Sequence, residues 1–212
     1  MNRRLRTSIL ALGAALVLTP PLAAQDGPSW QIRLRGIGVI PDESATISAI
    51  GGDVDISNTV MPELDFTLFL TPNWALELIL ATTEHDVVAT GTTLGDVDVG
   101  SVWLLPPTLT LQYHFLPDGT FRPYLGAGGN LTFFYSEDVP GNPVSDADYS
   151  TAGGFALQAG ADIAVGTDGW FLNVDAKKIF LNTDVELNGG AITADVDIDP
   201  WVLSAGIGYR FR

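Results

Sequence analysis

Apolar and polar residues alternate along one segment of this chain after another, and a period of two marks half-buried strands rather than helices. Eight such segments can be followed: 30–40, 62–70, 74–82, a stretch ending in 108–115, 121–135, 154–165, 170–181 and 197–211. In the sixth, Phe155, Leu157, Ala159, Ala161 and Ile163 fall on one side and Gln158, Gly160 and Asp162 on the other. In the last, Trp201, Leu203, Ala205, Ile207, Tyr209 and Phe211 oppose Ser204, Gly206, Gly208 and Arg210. Beyond residue 24 no apolar run approaches the ~18 residues of a spanning helix. The 23 glycines and 13 prolines also argue against a helical bundle. With so much apolar surface, the remaining way to cross lipid is a closed barrel, in which every backbone N–H is bonded within the protein. The expected fold is all-β: an eight-stranded antiparallel transmembrane barrel.

The first residues read as an export signal. Arg3, Arg4 and Arg6 precede the apolar run Ile9 to Leu18, and Leu22-Ala23-Ala24 offers small residues for cleavage before Gln25. Residues 1–24 are therefore set apart as a cleaved signal peptide, leaving 25–212 as the barrel. The signal holds three of the ten basic residues and none of the 25 acidic ones, so the remainder is more acidic than the −15 of the whole chain. Such a chain is no nucleic-acid partner, which would need basic patches. There is no cysteine, hence no thiolate metal site and no thiol nucleophile. The acidic connections lack the spacing of an EF-hand loop, so neither a metal nor a cofactor is expected.

Three connections are short: Thr71 to Asn73, Leu116 to Gly119 and Gly166 to Gly169. Four are long, at 41–61, 83–101, 136–153 and 182–196. Outer-membrane barrels turn short connections to the periplasm and long ones outward. Trp74, Tyr113, Phe115, Trp170, Tyr209 and Phe211 fall beside the short turns or the C-terminus, where one interfacial aromatic girdle belongs. The continuous apolar face must meet lipid, since Arg or Lys at mid-membrane costs about 2–4 kcal/mol. The same register turns Arg33, Arg35, Asp65, Glu77, Asp162, Asp175, Lys177 and Arg210 into the lumen. Buried charges have to pair, so these eight are expected to form a network across a bore that eight strands leave narrow. A rigid polar plug and an ion-selective constriction are both consistent with it. Higher up, Ile37, Val39, Leu104 and Phe134 are candidate lining residues of an apolar passage. Pro106 and Pro107 each remove a ladder donor, which marks either a bulge or a lateral gap in the wall.

Several stretches resemble the OmpW family of outer-membrane proteins: Val60 to Asp65, Asn73 to Leu78, Leu104-Leu105-Pro106-Pro107-Thr108 through Tyr113, Arg122 to Gly128, and Val196-Asp197-Ile198-Asp199-Pro200-Trp201. The resemblance runs the length of the barrel. It implies a Gram-negative outer-membrane barrel with a narrow hydrophobic channel that passes small apolar molecules and releases them sideways. Outer-membrane lipid, lipopolysaccharide, small hydrophobic solutes and the barrel assembly machinery would be its partners. That machinery reads a terminal aromatic residue, whereas here Arg212 follows Phe211.

The alternative is a structural or adhesive barrel with a plugged lumen and no transport. Enzymatic activity is not expected. The two histidines, His85 and His114, fall toward opposite ends of the barrel, and His114 has only Thr110 and Gln112 on its face.

Overall fold

The computed structural model describes residues 29–211. Residues 1–24, assigned above to the export signal, lie outside it. Fourteen strands form, in chain order β1 (Ser29–Ile40), β2 (Ser44–Ile47), β3 (Asp53–Ile56), β4 (Thr59–Phe69), β5 (Trp74–Ala81), β6 (Thr83–Thr92), β7 (Gly95–Leu105), β8 (Thr108–His114), β9 (Phe121–Asp138), β10 (Ala147–Tyr149), β11 (Ala152–Ala164), β12 (Trp170–Leu187), β13 (Ile192–Asp197) and β14 (Trp201–Phe211).

Eight of them make the barrel. β1 pairs with β4, β4 with β5, β5 with β8, β8 with β9, β9 with β11, β11 with β12 and β12 with β14, all antiparallel. The ring closes where β14 returns to β1, from Trp30 opposite Phe211 to Ile40 opposite Trp201. Closure leaves the spanning sheet no edge, which is what lipid demands of it. Near the short turns, the Trp74–Tyr113 and Trp170–Tyr209 pairs meet edge to face at 5.0 and 5.1 Å. These aromatics set one membrane boundary.

The long connections differ from open loops. β13 and β10 flank the upper part of β12, and β2 joins β13. On the other side β7 continues the upper part of β9, followed by β6 and β3. The sheet therefore runs on past the membrane as an outer extension. The reason lies in segments that alternate as regularly as the barrel strands but in the opposite phase.

β12 carries both phases in one strand. Its lower outward residues are Trp170, Leu172 and Val174, against inward Asn173, Asp175 and Lys177. Past Lys178 the inward residues are Ile179, Leu181, Val185 and Leu187, while Asn182, Asp184 and Glu186 face out. Below that level the surroundings are lipid and the interior is polar; above it the interior is apolar, and beyond Phe180 the outward residues are polar and meet water. β1 makes the same switch, from inward Gln31, Arg33 and Arg35 to buried Ile37 and Val39.

Replacing the lipid-facing Val174 with Arg is expected to destabilise the barrel by about 2–4 kcal/mol. Glu186→Arg, on the same strand beyond the switch, is expected to change stability by less than about 0.5 kcal/mol. Reversible urea unfolding in lipid vesicles measures both.

Candidate functional site

The lower lumen is filled by a connected set of charges. Arg33 and Arg35 come from β1, Glu63 and Asp65 from β4, Glu77 from β5, Asp162 from β11, and Asp175 and Lys177 from β12. Arg33 Nη1 donates to Asp65 Oδ2 at 2.9 Å, Thr67 Oγ1 at 2.9 Å and Glu77 Oε1 at 3.1 Å. Its Nη2 donates to Gln31 Oε1 at 3.0 Å and Asp162 Oδ2 at 3.3 Å. The guanidinium also lies over the rings of Tyr124 and Phe171, 5.5 and 5.7 Å from their centroids. Arg35 Nε donates to Glu63 Oε1 at 2.6 Å, and its Nη2 lies 2.9 Å from Asp65 Oδ2.

Glu77 is the hub of this set. Besides both arginines it accepts from Thr110 Oγ1 at 3.1 Å and Gln158 Nε2 at 2.7 Å, and Lys177 Nζ stands 3.9 Å from it. Lys177 itself donates to Asp175 Oδ1 at 2.5 Å, and Tyr124 Oη donates to Asp175 Oδ2 at 2.8 Å. Gly160 makes room for this corner: a Cβ there would come within 2.4 Å of Tyr124 Oη. Arg210 lies apart from the hub, its guanidinium carbon 3.8 Å from the centroid of Phe69. The structure thus brings seven of the eight sequence-derived lumen charges together and sets Arg210 nearer the periplasmic end.

Sequence reasoning did not assign Glu63, Gln31, Tyr124, Gln158 and Asn173 to the network. Their signal was the inward phase they share with the charges. Gln31, Glu63, Gln158 and Asn173 stand on the polar face of their segments, and Tyr124 lies within the motif Arg122 to Gly128.

Above the network lies an apolar cavity of about 200 Å³. Ile37, Val39, Leu104 and Phe134 all line it, together with Ile79, Val102, Ile179, Leu181 and Val202. Glu63, Lys177, Thr108, Asn130 and Thr132 contribute polar lining on the floor side, and Thr83, His85, Thr183 and Asn188 line it as well. In the outer extension Val144, which is 2 % exposed, packs into the same cluster. The segment around it is tied down by Asn188, whose Oδ1 accepts from Ser145 N at 2.8 Å.

Pro106 and Pro107 occupy the break between β7 and β8. Toward β9 the wall stays bonded, since Pro107 O accepts from Leu131 N at 3.1 Å. On the other side the pairs run Ile79 with Thr108 and then Thr83 with Leu104. Leu80 to Thr82 and Leu105 to Pro107 stand between those rungs, bridged by Thr82 Oγ1 donating to Leu104 O at 3.0 Å.

The two histidines occupy separate settings. His114 lies between the rings of Phe69 and Tyr124, with centroids 4.9 and 4.8 Å away. His85, at the base of the outer extension, has Nδ1 2.6 Å from Ser57 O. Burial holds its pKa below the ordinary value, partly opposed by the Ser57 carbonyl and by Asp86.

The OmpW family model matches residues 26–211. The chain belongs to the OmpW family. It is 42 % identical over 219 residues to the outer-membrane protein y4mB of Sinorhizobium fredii, an alignment covering 98 % of this chain and 94 % of that protein. It is 31 % identical over 201 residues to the dibenzothiophene metabolism operon protein PahQ of Pseudomonas aeruginosa, covering 92 % and 93 % of the two chains. The crystal structure of the outer-membrane protein OprG from Pseudomonas aeruginosa superposes with a TM-score of 0.80 at 28 % identity, covering 87 % of this chain and 96 % of that one. This OmpW-family chain is accordingly a barrel of the Gram-negative outer membrane, in contact with its lipid.

Arg33→Met is expected to leave Asp65 and Asp162 short of a cationic partner in the lumen and to cost about 3–5 kcal/mol. Denaturant unfolding of the variant in lipid measures it. Acidification tests His85. Its folded-state pKa is depressed, so the unfolded chain takes up a proton first as pH falls below about 6.5. Stability of the outer extension should therefore drop below that pH, seen as lower amide-exchange protection factors in β6 once the intrinsic rate at each pH is divided out, and His85→Gln should remove the dependence.

Proposed function

We propose that this OmpW-family barrel is a passive conduit for small apolar molecules, which enter at the loop end and leave sideways into the outer leaflet. The observation that carries the proposal is an apolar cavity standing on a charged floor. Ile37, Val39, Ile179 and Val202 wall it, and the lumen below is filled by the network around Glu77. A solute that leaves water for such walls gains about 25 cal/mol per Å² of apolar surface. Its passage straight down would require opening a buried ion network, whose disruption strands charges.

The level of the cavity supports the sideways exit. Ile40, Phe180 and Trp201 lie on the outside of the wall close to Val39, Ile179 and Val202 on the inside, and all three are exposed. The cavity thus stands beside lipid-facing surface. The unpaired stretch between Leu80–Thr82 and Leu105–Pro107 is the exit we assign, with Pro106 at the cavity lining and Pro107 beside it. The relationship to PahQ, named for a dibenzothiophene metabolism operon, fits a cargo of small apolar aromatics. In the same reading residues 1–24 direct export and are removed, the assembly machinery inserts the barrel, and lipopolysaccharide surrounds its outer half. No chemical step on the cargo is assigned.

Uptake by Gram-negative cells with and without the protein tests this. N-phenyl-1-naphthylamine should enter faster when the protein is present, and a fluorescent glucose analogue should not. Ile37→Asp should abolish the gain by placing a charge in the cavity. Pro106→Val with Pro107→Val should slow entry by restoring two ladder donors at the exit. Equal entry of the apolar probe with and without folded protein would overturn the conduit.

A further inference from the structure

The charges of this molecule are distributed unevenly along the barrel axis. Of its 25 acidic residues, Glu63, Asp65, Glu77, Asp162 and Asp175 lie in the lumen. Asp118 and Asp168 lie in short turns, and Asp26 precedes the described residues. All the others belong to the outer extension or its base. Of the basic residues, among those described, only Lys178 stands at that end. It is already held by Asp42 Oδ2 at 2.9 Å and Asp199 O at 2.5 Å.

Part of this set braces the extension, as where Asp53 Oδ1 accepts from Ala45 N at 2.7 Å and Asp199 Oδ1 from Leu181 N at 2.8 Å, but the acid exceeds that need. Asp184 pairs directly opposite Asp195, both exposed, and like charges in such register destabilise a strand pair. They stand on the strands whose inner faces wall the upper cavity, where Ala45, Val54, Val185 and Ala194 line it, and a rim of one sign over low-dielectric walls focuses its field into the opening.

The floor gives an anion no compensation. Lys177 is the only lysine or arginine that lines the cavity among the described residues, and it is committed to Asp175 at 2.5 Å with Glu77 at 3.9 Å; His85, also in the lining, has its ring nitrogens at Ser57 O and Thr83 Oγ1. Arg35, in the network below, is bonded to Glu63, Asp65 and Glu77. A carboxylate or sulfonate drawn into the cavity would lose its water and find every cation matched, which is costly. A neutral polar end meets better partners, the hydrogen-bonded chain Thr132 to Asn130 to Thr108.

We propose that the conduit is charge-selective: it accepts uncharged apolar molecules and rejects anionic analogues of the same body, by the acidic rim at entry and by the charge-matched floor within. This rests on the conduit reading above.

Two probes share one aromatic body and differ by a sulfonate: N-phenyl-1-naphthylamine and 8-anilinonaphthalene-1-sulfonate. Their protein-dependent uptake is compared in cells making no barrel, the native barrel, or a rim variant combining Asp55→Asn, Asp148→Asn, Asp184→Asn and Glu186→Gln. All four side chains are exposed, which keeps the folding risk low; heat-modifiable mobility of each barrel on a gel verifies its fold. The native barrel should speed the neutral probe and leave the sulfonate at background. The rim variant should keep the neutral uptake and raise sulfonate uptake, by on the order of tenfold if the rim field is as strong as such fields commonly are. Equal acceleration of both probes by the native barrel would overturn the selectivity and leave the conduit standing. An unchanged sulfonate rate in the folded rim variant would overturn the rim as filter. Acceleration of neither probe would remove the conduit itself, and the selectivity with it.

Discussion

Everything in this molecule follows from the need to bond each backbone N–H and C=O in a medium that offers no partners. The eight spanning strands meet it by closing β14 onto β1. Closure with so few strands leaves a bore that side chains nearly fill. Polar side chains placed there must therefore satisfy one another, and they do so around Glu77, which holds Arg33, Arg35, Thr110 and Gln158. The network is thus a consequence of barrel size as much as a functional device. It also settles what lies above it, because a filled lower lumen turns the upper interior into a closed-bottomed cavity.

The medium changes at the membrane boundary, and the chain answers by exchanging the polarity of its faces. β12 makes this switch without a break in the strand, as Asn173, Asp175 and Lys177 give way to Ile179, Leu181 and Val185 on the inner face. Water outside the extension permits an acidic surface, and the apolar inner face then covers Val144 and the cavity walls. The cavity is where the two regimes overlap: apolar inside because the extension begins there, apolar outside because lipid is still present. In the proposed conduit that overlap would make sideways release inexpensive for an apolar cargo and expensive for a charged one.

The sequence carried the barrel plainly, since strict alternation over Phe155 to Ile163 or Trp201 to Phe211 has no other economical reading. Strand edges differed by a few residues: the last strand begins at Trp201 rather than Asp197, because Pro200 offers no donor. The inward charges were legible for the same reason, one register serving every strand. The outer extension was not. Val185, Leu187, Ile192, Ala194 and Val196 alternate with acidic and polar residues, but in a phase that places the greasy side inward, so by the rule of a lipid-facing apolar stripe the stretch 182–196 reads as a long connection. Tyr124 was missed because its burial depends on the absence of a side chain at Gly160 across the strand pair, a contact that no single strand's pattern displays.

The central claim is an apolar cavity open to small apolar solutes and closed below by the network. Its most direct test is nuclear magnetic resonance of the methyl-labelled barrel in lipid nanodiscs, with naphthalene added and intermolecular Overhauser contacts recorded. The account predicts contacts to the inward methyls of Ile37, Ile79, Ile179 and Val202, falling away at Thr110 beneath them. Contacts confined to the lipid-facing methyls of Leu172, Val174 and Leu203, with the inward methyls silent, would contradict it.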